Sequence, residues 1–172
     1  MELRPPRPGE TSLEVLFAYS EYMRERFSMA LLELPLDLFL KPLGLDWMFG
    51  SLRDLAGHIV ATEDQWVGSI LQGRAGPGLE AAAFPDAATL VRSWEEVRGR
   101  TREYLARADE REIARVVVAP FAGSPRLTVR QVLLHLLVHE THHRGQLTAA
   151  LRMLGVAPPP SDFYDYVAEQ LQ

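Results

Sequence analysis

The sequence predicts an all-α protein: an antiparallel up-down four-helix bundle with a short extra C-terminal helix and room for a small hairpin before the fourth long helix. Three observations predict it. Four segments of roughly 20 residues repeat apolar side chains at helical spacing. Each is opened by a Ser, Thr or Asp capping signal or closed by Pro and Gly. Only one run, Ile113 to Phe121, has the β-branched content of a strand, and it is short. Helices of this length, joined antiparallel, bury one shared core and can build a site from facing side chains. Residues 1–172 read as one domain, with the Pro- and Arg-rich residues 1–9 as a flexible tail.

Thr11-Ser12-Leu13-Glu14 has the pattern of a capping box for the first helix. Leu13, Leu16, Phe17, Met23, Phe27, Ala30 and Leu31 form its apolar stripe, and Pro35 marks its end. Two prolines and two glycines make residues 35–50 a loop with a short turn. Ser51-Leu52-Arg53-Asp54 opens a second helix running to about Gln72, where Gly73, Gly76, Pro77 and Gly78 stop it. The third helix spans Asp86 to Ala108, with Leu90, Val91, Trp94, Val97, Tyr104 and Leu105 on its core side. Ile113 to Phe121, turning at Gly123-Ser124-Pro125, supplies the hairpin. Thr128 and Gln131 box the start of the fourth helix, which ends at Leu154 before Gly155 and three prolines. Ser161 opens the last short helix, to Gln170.

Composition narrows the function classes. Hydrophobic residues make up 47% and charged residues 24% of the 172, the balance of an ordinary globular chain. The net charge of −5, with no dense Arg/Lys cluster, gives no expectation of a nucleic-acid partner. No apolar run is long enough to span a membrane, and the N-terminus lacks the h-region of a signal peptide, so a cytoplasmic protein is expected. There is no cysteine, so any thiol chemistry needs a thiol from a small molecule.

Four of the five histidines fall in the fourth helix: His135, His139, His142 and His143. At about 100° per residue they sit near 0°, 40°, −20° and 80°, with Gln146 near 20°. Several imidazoles on one stripe of a helix that should face a core would each cost about 1–3 kcal/mol if unpartnered. A metal ion removes much of that cost by accepting the lone pair of each neutral ring. Periodicity alone does not choose the pair, since His135/His139 and His139/His143 are both four apart. His58, on the second helix with Leu55, Thr62 and Gln65, is a third ligand if the two helices face each other.

His139-Glu140-Thr141-His142-His143 also matches H-E-x-x-H, the zinc-peptidase helix in which the glutamate is the general base. The context does not follow. Gln146 stands where the metzincin extension has glycine, and no strand-rich region is present to hold a peptide extended.

Two segments resemble the DinB family of damage-inducible metalloproteins. One is Phe49-Gly50-Ser51-Leu52-Arg53-Asp54-Leu55-Ala56-Gly57-His58-Ile59-Val60, followed by Glu63 and Trp66. The other runs from Leu134 through His139-Glu140-Thr141-His142-His143-Arg144-Gly145-Gln146 to Leu147, with Leu154-Gly155-Val156 and a proline-rich tail ending in Asp162. The resemblance implies a four-helix core, a homodimer, and a metal triad carried over to His58, His139 and His143. His135 and His142 then become supporting or packing residues. The same resemblance suggests close helix approach at Gly145 and an ion-pair role for Arg144. Gln146 stays open between a pocket role and a core hydrogen bond. Trp47, Trp66 and the Phe163–Tyr166 aromatics are available to line a pocket above the metal.

Three neutral histidines leave a divalent ion its full charge and an open position, the arrangement of catalytic sites. Imidazole suits several metals; zinc and nickel are the expected ones. Glu140, Glu63 and Asp54 are the acids nearest in sequence, and any could orient a ligand imidazole. For Glu63 and Asp54 a solvated helix-face charge is the expectation. Relatives of the family resemble bacillithiol S-transferases and mycothiol-dependent isomerases. The leading expectation is therefore a metal-dependent transferase that activates a low-molecular-weight thiol, as co-substrate, against a small-molecule substrate in detoxification or stress response. The alternatives are a hydrolase using metal-bound water, with Glu140 as base, and a noncatalytic metal- or ligand-binding stress protein.

Overall fold

The computed structural model describes residues 12–44, 49–121 and 123–170. Thr11, Trp47 and the 1–9 tail lie outside them. The first long helix, α1, is Leu13–Leu32, with Ser12 as N-cap accepting from the Val15 N–H. A four-residue helix α2, Leu36–Phe39, follows Pro35. Helix α3, Leu52–Glu63, is capped by Ser51 and continues into π-helical turns over Asp64–Leu71. After a 3-10 turn at Ala81–Ala83, α4 spans Ala87–Arg107 behind the Asp86 cap. A short α5, Glu110–Ala114, precedes the antiparallel hairpin β1 (Val116–Val118) and β2 (Arg126–Thr128), paired Val117 to Leu127 at its centre. Helix α6, Val129–Met153, starts on the full Thr128/Gln131 capping box, and α7 is Phe163–Gln170.

The architecture is thus the expected all-α bundle with a two-stranded hairpin before the fourth long helix. Three features depart from the sequence reading. Helix α5 takes Ile113 and Ala114, so the strand begins only at Val116. The other two are the 3-10 turn and the change from α to π geometry after Glu63. No helix among the described residues is long and apolar enough to cross a membrane.

The interior is divided into three layers. One apolar cluster gathers Met23, Phe27, Leu31, Leu52, Leu55, Trp94, Leu147 and Leu151. The other gathers Phe17, Val67, Tyr104, Val132, Leu133 and Leu136. Each fully buried aliphatic or aromatic side chain adds about 1.5–3 kcal/mol. Between the clusters, each long helix turns a polar residue inward: Ser20, Glu21 and Arg24 from α1, Glu63 from α3, Arg98 and Thr101 from α4, Glu140 and Arg144 from α6. Glu63 is therefore a buried ion-pair partner rather than the solvated charge its sequence suggested. Asp54 bonds to Ser51 and Arg53 at the α3 cap.

Close approach of backbones occurs at Gly57. A Cβ there would lie 2.9 Å from the Ala81 Cα and 3.1 Å from the Phe84 ring. At Gly145, where the resemblance suggested such an approach, nothing among the described residues lies within 4 Å of a Cβ, and the residue is exposed. Gly57→Ala should accordingly cost about 1–3 kcal/mol by overpacking, read as a lower urea midpoint. An unchanged midpoint would show that the 3-10 turn yields freely.

Candidate metal centre

Helix α3 makes its most extensive contact with α6, and this brings His58 against the fourth-helix histidines. The His58 Nε2 lies 3.0 Å from the His139 Nε2, which lies 3.1 Å from the His143 Nε2. His143 is buried, and the other two are half-buried. His139 and His143 are one helical turn apart, so their rings meet along one face of α6 at 4.3 Å between centroids. His58 meets both, at 4.9 and 4.8 Å.

Hydrogen bonding among the three rings does not account for this arrangement. The His139 Nε2 carries either one proton or one lone pair in its ring plane, yet it has two imidazole nitrogens at contact distance. One ion equidistant from all three would satisfy every lone pair at once. Nitrogens bound at about 2.0–2.1 Å with tetrahedral angles stand about 3.3 Å apart, close to the spacing seen. The three histidines could therefore hold a metal ion.

The local electrostatics favour the neutral rings a metal requires. Burial, followed by the neighbouring His143 and His58, pushes the His139 imidazole down to about 3. Burial also lowers His58, with His143 adding to the effect. For His143, burial prevails over the raising effect of the hydrogen bond it gives to Gln146. That bond, 2.6 Å from the His143 Nδ1 to the Gln146 Oε1, has the geometry of the ring N–H donating to the amide oxygen. It leaves the Nε2 lone pair facing His139. Gln146 thus orients the His143 ring, a part the sequence reading had offered to Glu140, Glu63 and Asp54.

Glu140 turns inward. One of its oxygens meets Arg24 at 3.1 Å, Arg98 at 2.8 Å and the Ser20 hydroxyl at 2.7 Å, while the other meets Arg144 at 3.0 Å. Burial alone would raise this carboxyl, but Arg24, Arg98, Arg144 and the Ser20 hydroxyl together hold it down at about 2. The two histidines of H-E-x-x-H face His58, and the glutamate between them belongs to the charged layer. Arg144 has the ion-pair role expected of it.

The other residues singled out from the sequence lie around the triad or away from it. His135 is exposed, 5.7 Å from the His139 ring and 5.2 Å from Trp66. His142 is exposed beside His143 at 4.9 Å. Phe163 and Tyr166 close instead on Tyr19 and Tyr22 of α1, at centroid distances of 5.1 to 5.7 Å. Sequence reasoning missed Phe49, whose ring packs 4.8 Å from His58 and 5.4 Å from His143. It also missed Phe121, which meets Trp66 at 6.0 Å. Both sit in non-helical segments where no periodicity points at the site.

Known proteins share this fold. The DinB family model matches residues 10–171. Protein DinB of Bacillus subtilis (strain 168) is 24% identical over 160 residues, covering 88% of this chain and 91% of the relative. The crystal structure of a DinB-like protein from Bacillus cereus ATCC 10987 superposes with a TM-score of 0.68 at 21% identity, over 86% of this chain and 95% of that one. A helical bundle of this topology, matched by the family model along nearly its whole length, belongs to the DinB family.

Proposed function

We propose that the protein binds one divalent ion, zinc or nickel, on His58, His139 and His143, and uses it to activate a low-molecular-weight thiol for transfer to an electrophilic small molecule. The observation that carries this reading is the convergence of three neutral imidazole nitrogens around one point. When bound, such an ion supplies a Lewis-acidic open position that lowers the pKa of a thiol or water placed there.

The chain's own residues set the conditions. Three neutral ligands leave the ion's charge uncompensated, and Gln146 holds His143 in the tautomer with Nε2 free. Phe49 seals one flank of the triad. Glu140, committed to three arginines, has no oxygen left to act as a general base. Its position counts against the hydrolase reading in which Glu140 is the general base. In the transfer the thiol proton passes to solvent. The sulfur lone pair then forms the new bond to the electrophilic carbon as that carbon's leaving group departs with its electron pair.

The same reading makes the protein a cytoplasmic homodimer acting in detoxification or stress response. An apolar groove between α1 and α6, lined by Leu16, Tyr19, Leu134, Val138 and Phe163, supports an interface between copies. Cobalt-loaded protein titrated with 2-mercaptoethanol tests the reading. A saturable sulfur-to-cobalt charge-transfer band, absent in His139→Ala, is the expected result. A metal-loaded protein whose spectrum ignores thiols would overturn it.

A further inference from the structure

Beside His139, three rings from three different elements meet. Trp66 comes from the π-helical turns, His135 from α6 one turn before His139, and Phe121 from the loop after β1. Their centroids stand 5.2 Å apart for Trp66 and His135, and 6.0 Å for Trp66 and Phe121, both edge-on. His135 is in turn 5.7 Å from the His139 ring. A single ring therefore separates the proposed metal ligand from the tryptophan.

The π geometry is what brings Trp66 here. Each π turn takes about one residue more than an α turn. The residues after Glu63 therefore rotate back relative to an α-helix, moving Trp66 toward the side of His58. Gln65, which an α-helix would have placed there, is exposed instead. The cluster is also unfinished as a packing unit: Phe121 keeps 43% of its surface in solvent, and His135 is exposed. Trp66 itself is half-buried against the second apolar cluster, so the surface this group leaves open belongs to Phe121 and His135.

We propose that Trp66, Phe121 and His135 form a shelf that receives a planar apolar ring of the small molecule bound at the metal, making aryl or benzyl compounds the preferred substrate class. This rests on the proposed open metal position. Edge-on and stacked ring contacts add to binding beyond area burial, so one added ring meeting two of these side chains should tighten binding about tenfold.

The experiment compares benzyl mercaptan with 2-mercaptoethanol on cobalt-loaded protein through the charge-transfer band, in wild type, Phe121→Ala and Trp66→Leu. Phe121 lies on an exposed loop, so its variant keeps the fold should the tryptophan variant lose it. An approximately tenfold preference for benzyl mercaptan, falling toward parity in Phe121→Ala with 2-mercaptoethanol affinity retained, is the expected result. Equal affinities in wild type, or a preference that survives the substitution, would overturn the shelf. Should neither thiol produce a band, the metal-thiolate reading fails on its own, and benzyl alcohol on zinc-loaded protein then decides the shelf. A saturable shift of the Trp66 indole N–H resonance supports it, and no shift overturns it.

Discussion

Replacing His58, His139 or His143 with alanine should remove the metal, while His135→Ala and His142→Ala keep it near one equivalent. Each member of the triad supplies one of three nitrogens held within 4.8 Å of one another, whereas His135 and His142 are exposed rings at its border. Loss of an outer partner of a ligand typically costs about 10–100-fold in metal affinity. Gln146→Ala, which frees the His143 ring to rotate and to change tautomer, should fall in that range with stoichiometry preserved. Loss of a ligand itself should cost more. Elemental analysis of reconstituted protein gives the stoichiometry, and competition with a chromophoric chelator gives the affinity. Metal lost in His135→Ala yet retained in His58→Ala would move the site to α6 alone and undo the assignment across α3 and α6.

Glu140→Ala should be the most destabilising single change in the charged layer. Removing this carboxylate leaves Arg24 with Glu63 and Arg98 with Glu21 and Glu63, and takes from Arg144 its carboxylate partner, all three arginines being about 3% exposed or less. Breaking a buried pair in this way costs about 3–5 kcal/mol, because the uncompensated charge is what remains. In a chain of this size that corresponds to a fall of roughly 10 °C in melting temperature.

The same contact fixes an acid sensitivity. The folded Glu140 carboxyl titrates at about 2, against an ordinary value of 4.5, so its pKa is depressed on folding. Its stabilisation is therefore present in full above 4.5 and is lost as pH falls from there through about 2. Wild-type stability should decline across that window, and Glu140→Ala should decline less steeply. The variant also separates two roles for the motif's glutamate. A general base would leave folding intact and abolish turnover in Glu140→Gln, whereas a member of the charged layer shows itself first in the melting curve.

The helices were legible because their signals are local. Ser51, Asp86 and Thr128 each cap a helix whose apolar residues repeat at helical spacing, and all three accept the backbone N–H their pattern predicts, while the first helix is capped by Ser12, one residue after the Thr11 that its T-x-x-E pattern proposed. The histidine stripe on α6 was legible for the same reason, since residues four apart on a helix must share a face. The π turns after Glu63 were not, because α and π geometry use the same apolar composition and differ only in which packing the surroundings reward.

Among the charged residues of the core, Glu63 was read as a solvated charge and Arg98 was not singled out at all. Arg98 and Glu63 look like surface residues to any periodicity argument, since a lone charge belongs in water. Their burial becomes tolerable only when four helices bring Arg24, Glu21, Glu140 and Thr101 to the same level, so that each charge finds its opposite. The choice of ligand pair has the same character. By itself the sequence determined that α6 carries an imidazole stripe and that four capped helices will form. The triad of His58, His139 and His143 was implied only by the family resemblance, and the tertiary structure brings the three together; it alone decided that Gln146 steers His143 and that Glu140 faces the arginines. Those outcomes depend on which side chains from distant helices arrive at one point, and local spacing holds no information about that.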